Sequence, residues 1–274
     1  MEPVIHHVIL GLEPGADPEL VRHHRLALKS LARARGGGNA EQAVVQTVFV
    51  TESGFDYSEW DLQIVSAKRD ARQVYGDAIR PLPLASEVFG CLAQSSADVV
   101  VLSNADICFQ PHFYDFVSSV YRARISSWTA HRRTIPGDPP DGVDILQWAY
   151  SESGLDHPGS DLFVTTPQVA SRMRLGDAAM GMPGIGDLIL LNLALEDPWF
   201  ARFSRAHLSF HFGDDRPWLH DRRSILYSQH RSNLRRATKA IQTDRGTRAL
   251  VRAWRSSGQA PSSVRRLLPY CILD

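Results

Sequence analysis

The chain has 274 residues, 43% hydrophobic and 22% charged with a formal net charge of zero, and this composition excludes a chain that is disordered throughout. No apolar run approaches the ~20 residues that cross a bilayer, and the first residues lack the basic and apolar segments of a signal peptide, so neither feature is predicted. Three widely spaced cysteines argue against a disulfide framework or a cysteine-rich zinc site, and we therefore expect a cytoplasmic globular protein.

Alternating strands and helices are predicted in the first half of the chain. Short runs rich in β-branched residues predict strands, and apolar residues three and four apart predict helices. Asp17 followed by Pro18 is typical of a helix start, and the glycines at 36–38 are typical of its end. The predicted elements are a strand at residues 4–10, a helix at 17–36, strands at 43–50 and 62–65, a helix at 84–94 and a strand at 98–102.

The second half of the chain has a less regular pattern. Residues 134–143 contain too much proline and glycine for a regular element, and the glycine-rich residues 176–186 predict a mobile loop. The remaining predicted elements are strands at 161–165 and 207–212, a buried helix at 187–195 and amphipathic helices beyond residue 222. Strands that alternate with helices favour a layered α/β domain with a largely parallel sheet.

The residues from 222 onward differ from the rest in charge. They hold 12 Lys/Arg and 2 Asp/Glu, whereas residues 1–221 hold 18 and 28. Such a basic tail either pairs with the acidic body or contacts an anionic partner, such as a phosphate-bearing substrate or the inner face of a membrane. We expect no nucleic acid among its partners.

A polar triplet follows the buried strand at residues 98–102. Ligands of open α/β sheets gather beyond the carboxyl ends of the strands, which is where Asn104-Ala105-Asp106 would lie. Residues i and i+2 of an extended segment point the same way, so Asn104 and Asp106 can both face one hard cation. That cation would stabilise negative charge on a departing diphosphate. The alternative is a surface turn in which Asp106 caps a helix.

A hydrophobic strand that ends in a D-x-D-like triplet resembles the signature of nucleotide-sugar glycosyltransferases with the GT-A fold. The later segment His211-Phe-Gly-Asp-Asp-Arg-Pro-Trp218 resembles the histidine motif of the glycogenin and bacterial galactosyltransferase group. The resemblance implies that Asp106 and His211 bind Mn²⁺ or Mg²⁺ and that Gly213 and Arg216 contact the diphosphate. The substrate-binding residues that it implies are Asn104, Asn192, Gly213, Arg216 and Trp218.

A third segment, Asp187-Leu-Ile-Leu-Leu-Asn192, resembles the start of a helix in the same group. By that resemblance Asp187 contacts the donor sugar or acts on the acceptor hydroxyl. This chain departs from the group at Asn104, where the group has Asp, at Arg216, where it has Lys, and at Leu188, where it has a polar residue. The group also has one more residue between the histidine and the glycine. The stereochemistry of transfer is therefore left open.

Two carboxylates are candidates for the catalytic base that an inverting enzyme needs. Asp187 lies at the start of the predicted buried helix. Asp161 begins the predicted strand at 161–165, which would lie near the acceptor in this fold. Each has a structural alternative, Asp187 as a helix N-cap and Asp161 as a turn residue.

The leading interpretation is a metal-dependent glycosyltransferase of the hexosyltransferase type. The resemblance implies a GT-A-like, Rossmann-type mixed sheet flanked by helices, with a helical basic carboxyl-terminal tail. Residues 1–221 would form the catalytic domain, 1–110 its nucleotide-binding half, 111–221 its acceptor half and 222–274 a basic extension. The expected partners are a nucleoside-diphosphate sugar and an acceptor of unknown identity.

Two alternatives remain at this stage. A sugar nucleotidyltransferase has a related fold, but it usually carries a basic, glycine-rich phosphate loop after the first strand, and residues 11–15 contain no Lys or Arg. A non-catalytic nucleotide- or sugar-binding protein on a degenerate transferase scaffold would be compatible with Asn104 and Leu188. The acidic residues Asp106 and Asp187 and the histidine His211 favour an enzyme instead.

Overall fold

A computed structural model describes residues 2–37, 43–76, 79–157, 159–182, 184–213 and 225–242. The strands are β1 (Ile5–Leu10), β2 (Val44–Val50), β3 (Gln63–Ser66), β4 (Val99–Ser103), β5 (Cys108–Phe109), β6 (Trp128–Ala130), β7 (Arg133–Ile135), β8 (Leu155–Asp156), β9 (Leu162–Thr165), β10 (Ala201–Phe203) and β11 (Ser209–Phe212). The helices are α1 (Pro18–Gly37), α2 (Arg72–Tyr75), α3 (Ala85–Ala93), α4 (Phe113–Arg122), α5 (Ile145–Ser151), α6 (Pro167–Ala170), α7 (Ile185–Glu196) and α8 (Ile225–Gln242).

The main sheet is mixed and has seven strands in the order β10-β6-β9-β4-β1-β2-β3. Strand β1 is parallel to both β2 and β4, as the alternation of strands and helices predicts. Strand β9 is antiparallel to β4 and to β6, whereas β10 is parallel to β6 and β3 is parallel to β2. The expectation of a largely parallel sheet is therefore confirmed, with β9 as the reversed strand of this sheet. All five residues of β4 are buried, which explains the uninterrupted apolar run at residues 99–102.

Hydrophobic cores lie on both faces of this sheet, because successive side chains of a strand point to opposite faces. Val8 and Val100 pack with α7 residues such as Leu188 on one face. Ile9 and Val101 pack on the other face with residues of α1 and α4. Helices thus cover both faces of the sheet around β4.

A second, four-stranded sheet in the order β5-β11-β7-β8 adjoins the carboxyl end of β4. Strand β11 is antiparallel to β5, with Phe210 opposite Cys108. It is parallel to β7, with His211 opposite Thr134. The prediction that residues 134–143 form no regular element is therefore wrong at its start, because strand pairing with β11 extends β7 to Ile135.

Helix α8 packs against the hydrophobic core on the face of the main sheet that α7 covers. Ala237 and Ile241 are buried in the same cluster as the α7 residues. A side chain at Gly184, just before α7, would come within 2.9 Å of Leu234 Cδ1. The amphipathic spacing beyond residue 222 thus predicts this helix correctly, and residues 243–274 lie outside the described part of the chain.

The glycine-rich residues 176–186 include both buried and exposed positions. Ala178, Ala179 and Met180 are buried, and Met180 N donates to Pro83 O at 2.8 Å. These contacts hold the middle of the segment, whereas Gly176, Asp177 and Gly181 are exposed, and the predicted mobility stays a prediction. No helix in the described ranges has both the length and the apolar character of a membrane span.

Candidate metal and substrate site

Two residues that are 105 positions apart in the sequence meet at the carboxyl end of β4. The Oδ2 atom of Asp106 lies 3.0 Å from Nε2 of His211. Their meeting follows from the register of the small sheet, since β5 starts two residues after Asp106 and pairs with β11 around Phe210. The predicted metal ligands therefore share one site.

The backbone of Gly213 sets the orientation of the His211 ring. Nδ1 of His211 donates to the carbonyl oxygen of Gly213 at 2.9 Å. Gly213 has φ +70°, a left-handed conformation that favours glycine. With the proton on Nδ1, the neutral ring directs the Nε2 lone pair towards Asp106, as a metal-binding histidine requires. The backbone of Gly213 thus orients the His211 ring, in addition to the contact with diphosphate that the resemblance implies.

The geometry at Asp106 and His211 fits a divalent cation. Nε2 of His211 is buried and, despite its distance from Asp106, is not aligned for a hydrogen bond with any described residue. Adjacent ligands of an octahedral ion with bonds of about 2.1 Å are separated by about 3 Å. No group of three or more His, Cys, Asp or Glu residues suited to a metal is found in the described ranges.

The two ligands also affect each other's charge. Burial lowers the pKa of His211, but the neighbouring Asp106 carboxylate outweighs this effect and raises the pKa overall. For Asp106, burial acts to raise the pKa, but His211 and then Arg132 lower it below the usual value. The carboxylate is thus ionised at neutral pH and able to bind a cation.

A buried chain of hydrogen bonds holds the backbone of the triplet. Nδ1 of His24, on α1, donates to the carbonyl oxygen of Ala105 at 2.6 Å. Its Nε2 lies 3.0 Å from the hydroxyl of Tyr57, which also accepts from Leu12 N at 3.2 Å. Burial lowers the pKa of His24 to about 4, so the ring is neutral and accepts the Tyr57 proton. The sequence does not assign these residues a function, because none of them belongs to a motif.

Replacing Tyr57 with phenylalanine tests this chain of hydrogen bonds. The variant leaves Leu12 N and His24 Nε2 buried without their partner, so we expect the free energy of unfolding to fall by about 1–3 kcal/mol. Urea denaturation of both proteins measures the difference. Tyr121→Phe is the control, because Tyr121 is a partly buried tyrosine in the last turn of α4. An equal loss in both variants would contradict the proposed role of Tyr57.

Asp161 is held by two partners. Its Oδ1 accepts from Asn104 Nδ2 at 2.8 Å, and its Oδ2 lies 3.2 Å from Nη1 of Arg132. These two contacts hold the carboxylate beside the triplet, and the role of Asp161 as the base stays a prediction. Asn104 thus links the triplet to Asp161, a contact that the predicted substrate-binding role does not include.

Asp187 lies in the first turn of α7, close to the segment that carries Asp161. The N-cap of α7 is Gly184, so the alternative of Asp187 as an N-cap is wrong. A side chain at Gly186 would come within 3.3 Å of Ser160 O, which shows how closely the first turn approaches this segment. Asp187 is half-buried, and a carboxylate in the first turn is favoured by the helix dipole.

The remaining predicted site residues have different outcomes. Asn192 is buried in α7, where its side-chain oxygen accepts from Arg174 N at 2.7 Å and its amide donates to Leu188 O at 2.9 Å. Backbone groups therefore use the side chain that the resemblance assigns to substrate, and we leave Asn192 out of the site. The predicted contacts of Arg216 and Trp218 lie outside the described residues.

Arg132 is a residue of this site that the sequence reasoning missed. It lies between β6 and β7, is 8% exposed and contacts Asp161. No motif marks it in the sequence, because its proximity to the triplet depends on the pairing of β7 with β11.

Comparison with known proteins gives structural matches only. No family model matches the chain, and no curated protein sequence does. The crystal structure of S. aureus TarS 1-349 in complex with UDP-GlcNAc matches with a TM-score of 0.55 and 9% identity, over 88% of this chain and 67% of that one. A longer S. aureus TarS structure gives a TM-score of 0.51 and 9% identity, over 88% of this chain and 40% of that one.

A third match is glucosyl-3-phosphoglycerate synthase from Mycobacterium tuberculosis in complex with phosphoglyceric acid. It has a TM-score of 0.49 and 15% identity, over 86% of this chain and 80% of that one. The TarS matches show that the chain has the GT-A fold, which confirms the predicted fold class.

Proposed function

We propose that the protein is a metal-dependent glycosyltransferase that moves a sugar from a nucleoside diphosphate to an acceptor hydroxyl. The observation that carries the proposal is the 3.0 Å approach of Asp106 and His211 at the carboxyl end of the central strand β4. In open α/β sheets that edge is the usual place for a ligand. The GT-A fold supports the same activity, and the TarS structures contain UDP-GlcNAc or UDP.

Asp106 and His211 would hold Mn²⁺ or Mg²⁺ against the diphosphate. Bound there, the cation would neutralise charge that develops on the leaving group. Gly213 keeps the His211 ring in the required tautomer, and His24 keeps the backbone of the triplet in place. These contacts fix the ligands before substrate binds, which lowers the cost of reorganisation during the reaction.

Asp187 would act as the base. The acceptor hydroxyl attacks the anomeric carbon of the sugar, a new carbon–oxygen bond forms, and the bond to the diphosphate oxygen breaks. Asp187 takes the hydroxyl proton, while the leaving diphosphate keeps the electron pair of the broken bond. A single displacement of this kind inverts the anomeric configuration.

The nucleoside would lie beyond the ends of β1 and β2. There the two loops come close together, since a side chain at Gly54 would fall within 2.2 Å of the Glu13 carbonyl oxygen. Nearby, Arg72 contacts Glu52 and Asp70 at 2.6 Å each, so charged groups line this end of the sheet. The base and ribose would bind near residues 51–53.

A screen of nucleotides and nucleotide sugars tests the proposal. With Mn²⁺, we expect one nucleoside diphosphate to raise the melting temperature, because it binds the folded state alone. The matching nucleotide sugar should be hydrolysed slowly with Mn²⁺ or Mg²⁺ and not with EDTA. If no diphosphate of uridine, guanosine, adenosine, cytidine or thymidine raises the melting temperature, the proposed function is wrong.

A further inference from the structure

We propose that Arg132 binds the diphosphate of the donor and that Asp161 positions it there. This inference rests on the proposed function. It adds to the site a positively charged side chain, which lies between β6 and β7 and which no sequence motif indicates.

Arg132 lies on the same side of the small sheet as His211. Strand β7 is parallel to β11, and Thr134 is opposite His211. Residues two apart along an extended segment point to the same face, so the register places Arg132 on the face that carries His211.

The Nε–H group of the buried Arg132 guanidinium lacks an acceptor among the described residues. The side chain of Arg132 is 90% buried. Nη1 is 3.2 Å from Asp161 Oδ2, but that oxygen is not aligned for a hydrogen bond. A buried guanidinium N–H group without an acceptor is costly, and a bound anion would supply the missing acceptor.

The contact between Arg132 and His157 does not supply an acceptor either. Nη2 of Arg132 lies 3.5 Å from Nε2 of His157. Nδ1 of His157 accepts from Gly159 N at 3.0 Å, so the neutral ring carries its proton on Nε2. Two N–H groups then face each other, and neither can accept.

A phosphate group bound between Arg132 and the proposed metal ion would satisfy the charge of both. A guanidinium and a divalent cation in one small site repel each other unless an anion lies between them. The diphosphate is the anion that the cation at Asp106 and His211 would bind, and the planar guanidinium can bind two phosphate oxygens at once. Asp161 holds the guanidinium on its other side and, through Asn104, connects it to the triplet.

Calorimetric titrations of four proteins test the role of Arg132: wild type, Arg132→Gln, Arg132→Lys and Arg133→Gln. Arg133 is the matched control, because it is the next residue and contacts Asp156 on β8. The ligands are Mn²⁺ alone, and the diphosphates of uridine, guanosine, adenosine, cytidine and thymidine in saturating Mn²⁺. Melting temperatures show whether each variant is folded.

We expect Arg132→Gln to weaken binding of the diphosphate in Mn²⁺ by about tenfold to a hundredfold, the effect of losing a charge-assisted hydrogen bond. Arg132→Lys should show a smaller loss, and Arg133→Gln should bind within about twofold of wild type. Binding of Mn²⁺ alone should be unchanged or tighter in Arg132→Gln, since the variant lacks the guanidinium charge that repels the metal ion. A merely structural defect would weaken both ligands together, and this result would overturn the proposal.

Asp161→Asn tests the positioning role. It should weaken diphosphate binding less than Arg132→Gln does, and adding it to Arg132→Gln should cause little further loss, because both changes remove one interaction. Full additivity would overturn this part of the proposal.

The titrations also separate this inference from the proposed function. If wild type binds a diphosphate and Arg132→Gln binds it equally well, Arg132 is not a diphosphate ligand; a raised KM for the acceptor would then assign it to an acceptor anion. If wild type binds none of the diphosphates, the proposed function fails and this inference fails with it.

Discussion

Asp106→Asn is expected to abolish metal-dependent binding of the nucleoside diphosphate and all sugar transfer. Asp106 is the carboxylate of the proposed metal site, and a neutral amide is a weak ligand for Mn²⁺ or Mg²⁺. Losing a partner of a metal ligand already costs about 10–100-fold in affinity, so losing the ligand itself should cost more than about a hundredfold. Calorimetric titration of the diphosphate with and without Mn²⁺ measures the effect.

Asp61→Asn is the control for this variant. Asp61 is exposed and pairs with Arg35 at 2.7 Å, so its loss should leave Mn²⁺-dependent binding unchanged. His211→Ala should also weaken binding, and the double variant should be little worse than Asp106→Asn, since the two residues hold the same ion. Effects that add fully would mean that Asp106 and His211 act at separate sites.

Asp187→Asn is expected to reduce transfer by about 10²–10⁴-fold and to leave Mn²⁺-dependent binding of the diphosphate intact. The amide cannot take the acceptor proton, and removal of a general base has an effect of this size. The measurement pairs the turnover rate under saturating donor with a calorimetric titration of the diphosphate. Transfer by the wild type should also invert the anomeric configuration, which the NMR spectrum of the product reports.

Two further variants distinguish Asp187 from Asp161 as the catalytic base. Asp141 is exposed in the loop before α5, so Asp141→Asn should transfer sugar at the wild-type rate. Asp161→Asn should bind the donor more weakly but keep its turnover rate at saturating donor. If Asp187→Asn keeps its turnover and Asp161→Asn loses it at saturating donor, Asp161 is the base.

The parts of the fold that the sequence predicts are those set by local pattern. Strand β4 is recognisable because it is covered on both faces and therefore apolar throughout. Helix α1 is recognisable from Pro18 and the glycines that end it. The triplet at 104–106 follows directly from β4, so its place at the edge of the sheet is predictable as well.

The parts that the sequence does not predict depend on contacts between distant segments. Strands β5 and β8 contain two residues each, which is too short for an alternating pattern, and only their pairing with β11 and β7 defines them. Arg132 enters the site through the pairing of β7 with β11. Helix α4 is also absent from the elements predicted above, but for a different reason. Phe113, Val117 and Val120 recur with helical spacing, so the sequence contains the pattern and our prediction missed it.

The site residues divide in the same way. His211 was identifiable because a motif marks it, and the sheet register brings it to Asp106. His24 and Tyr57 carry no motif, and their contacts with Ala105 and Leu12 exist only in the folded chain. Asn192 shows the opposite case, since the motif assigns it to substrate although its amide is used by the backbone around Arg174.

The most direct test of the shared cation is a crystal structure of the protein with Mn²⁺ and the diphosphate that binds it, with diffraction recorded for the anomalous signal of manganese. We predict one strong anomalous peak about 2 Å from both Oδ2 of Asp106 and Nε2 of His211, in contact with the diphosphate. A bound diphosphate with no peak between these two residues, or with the manganese held by other side chains, would contradict the account.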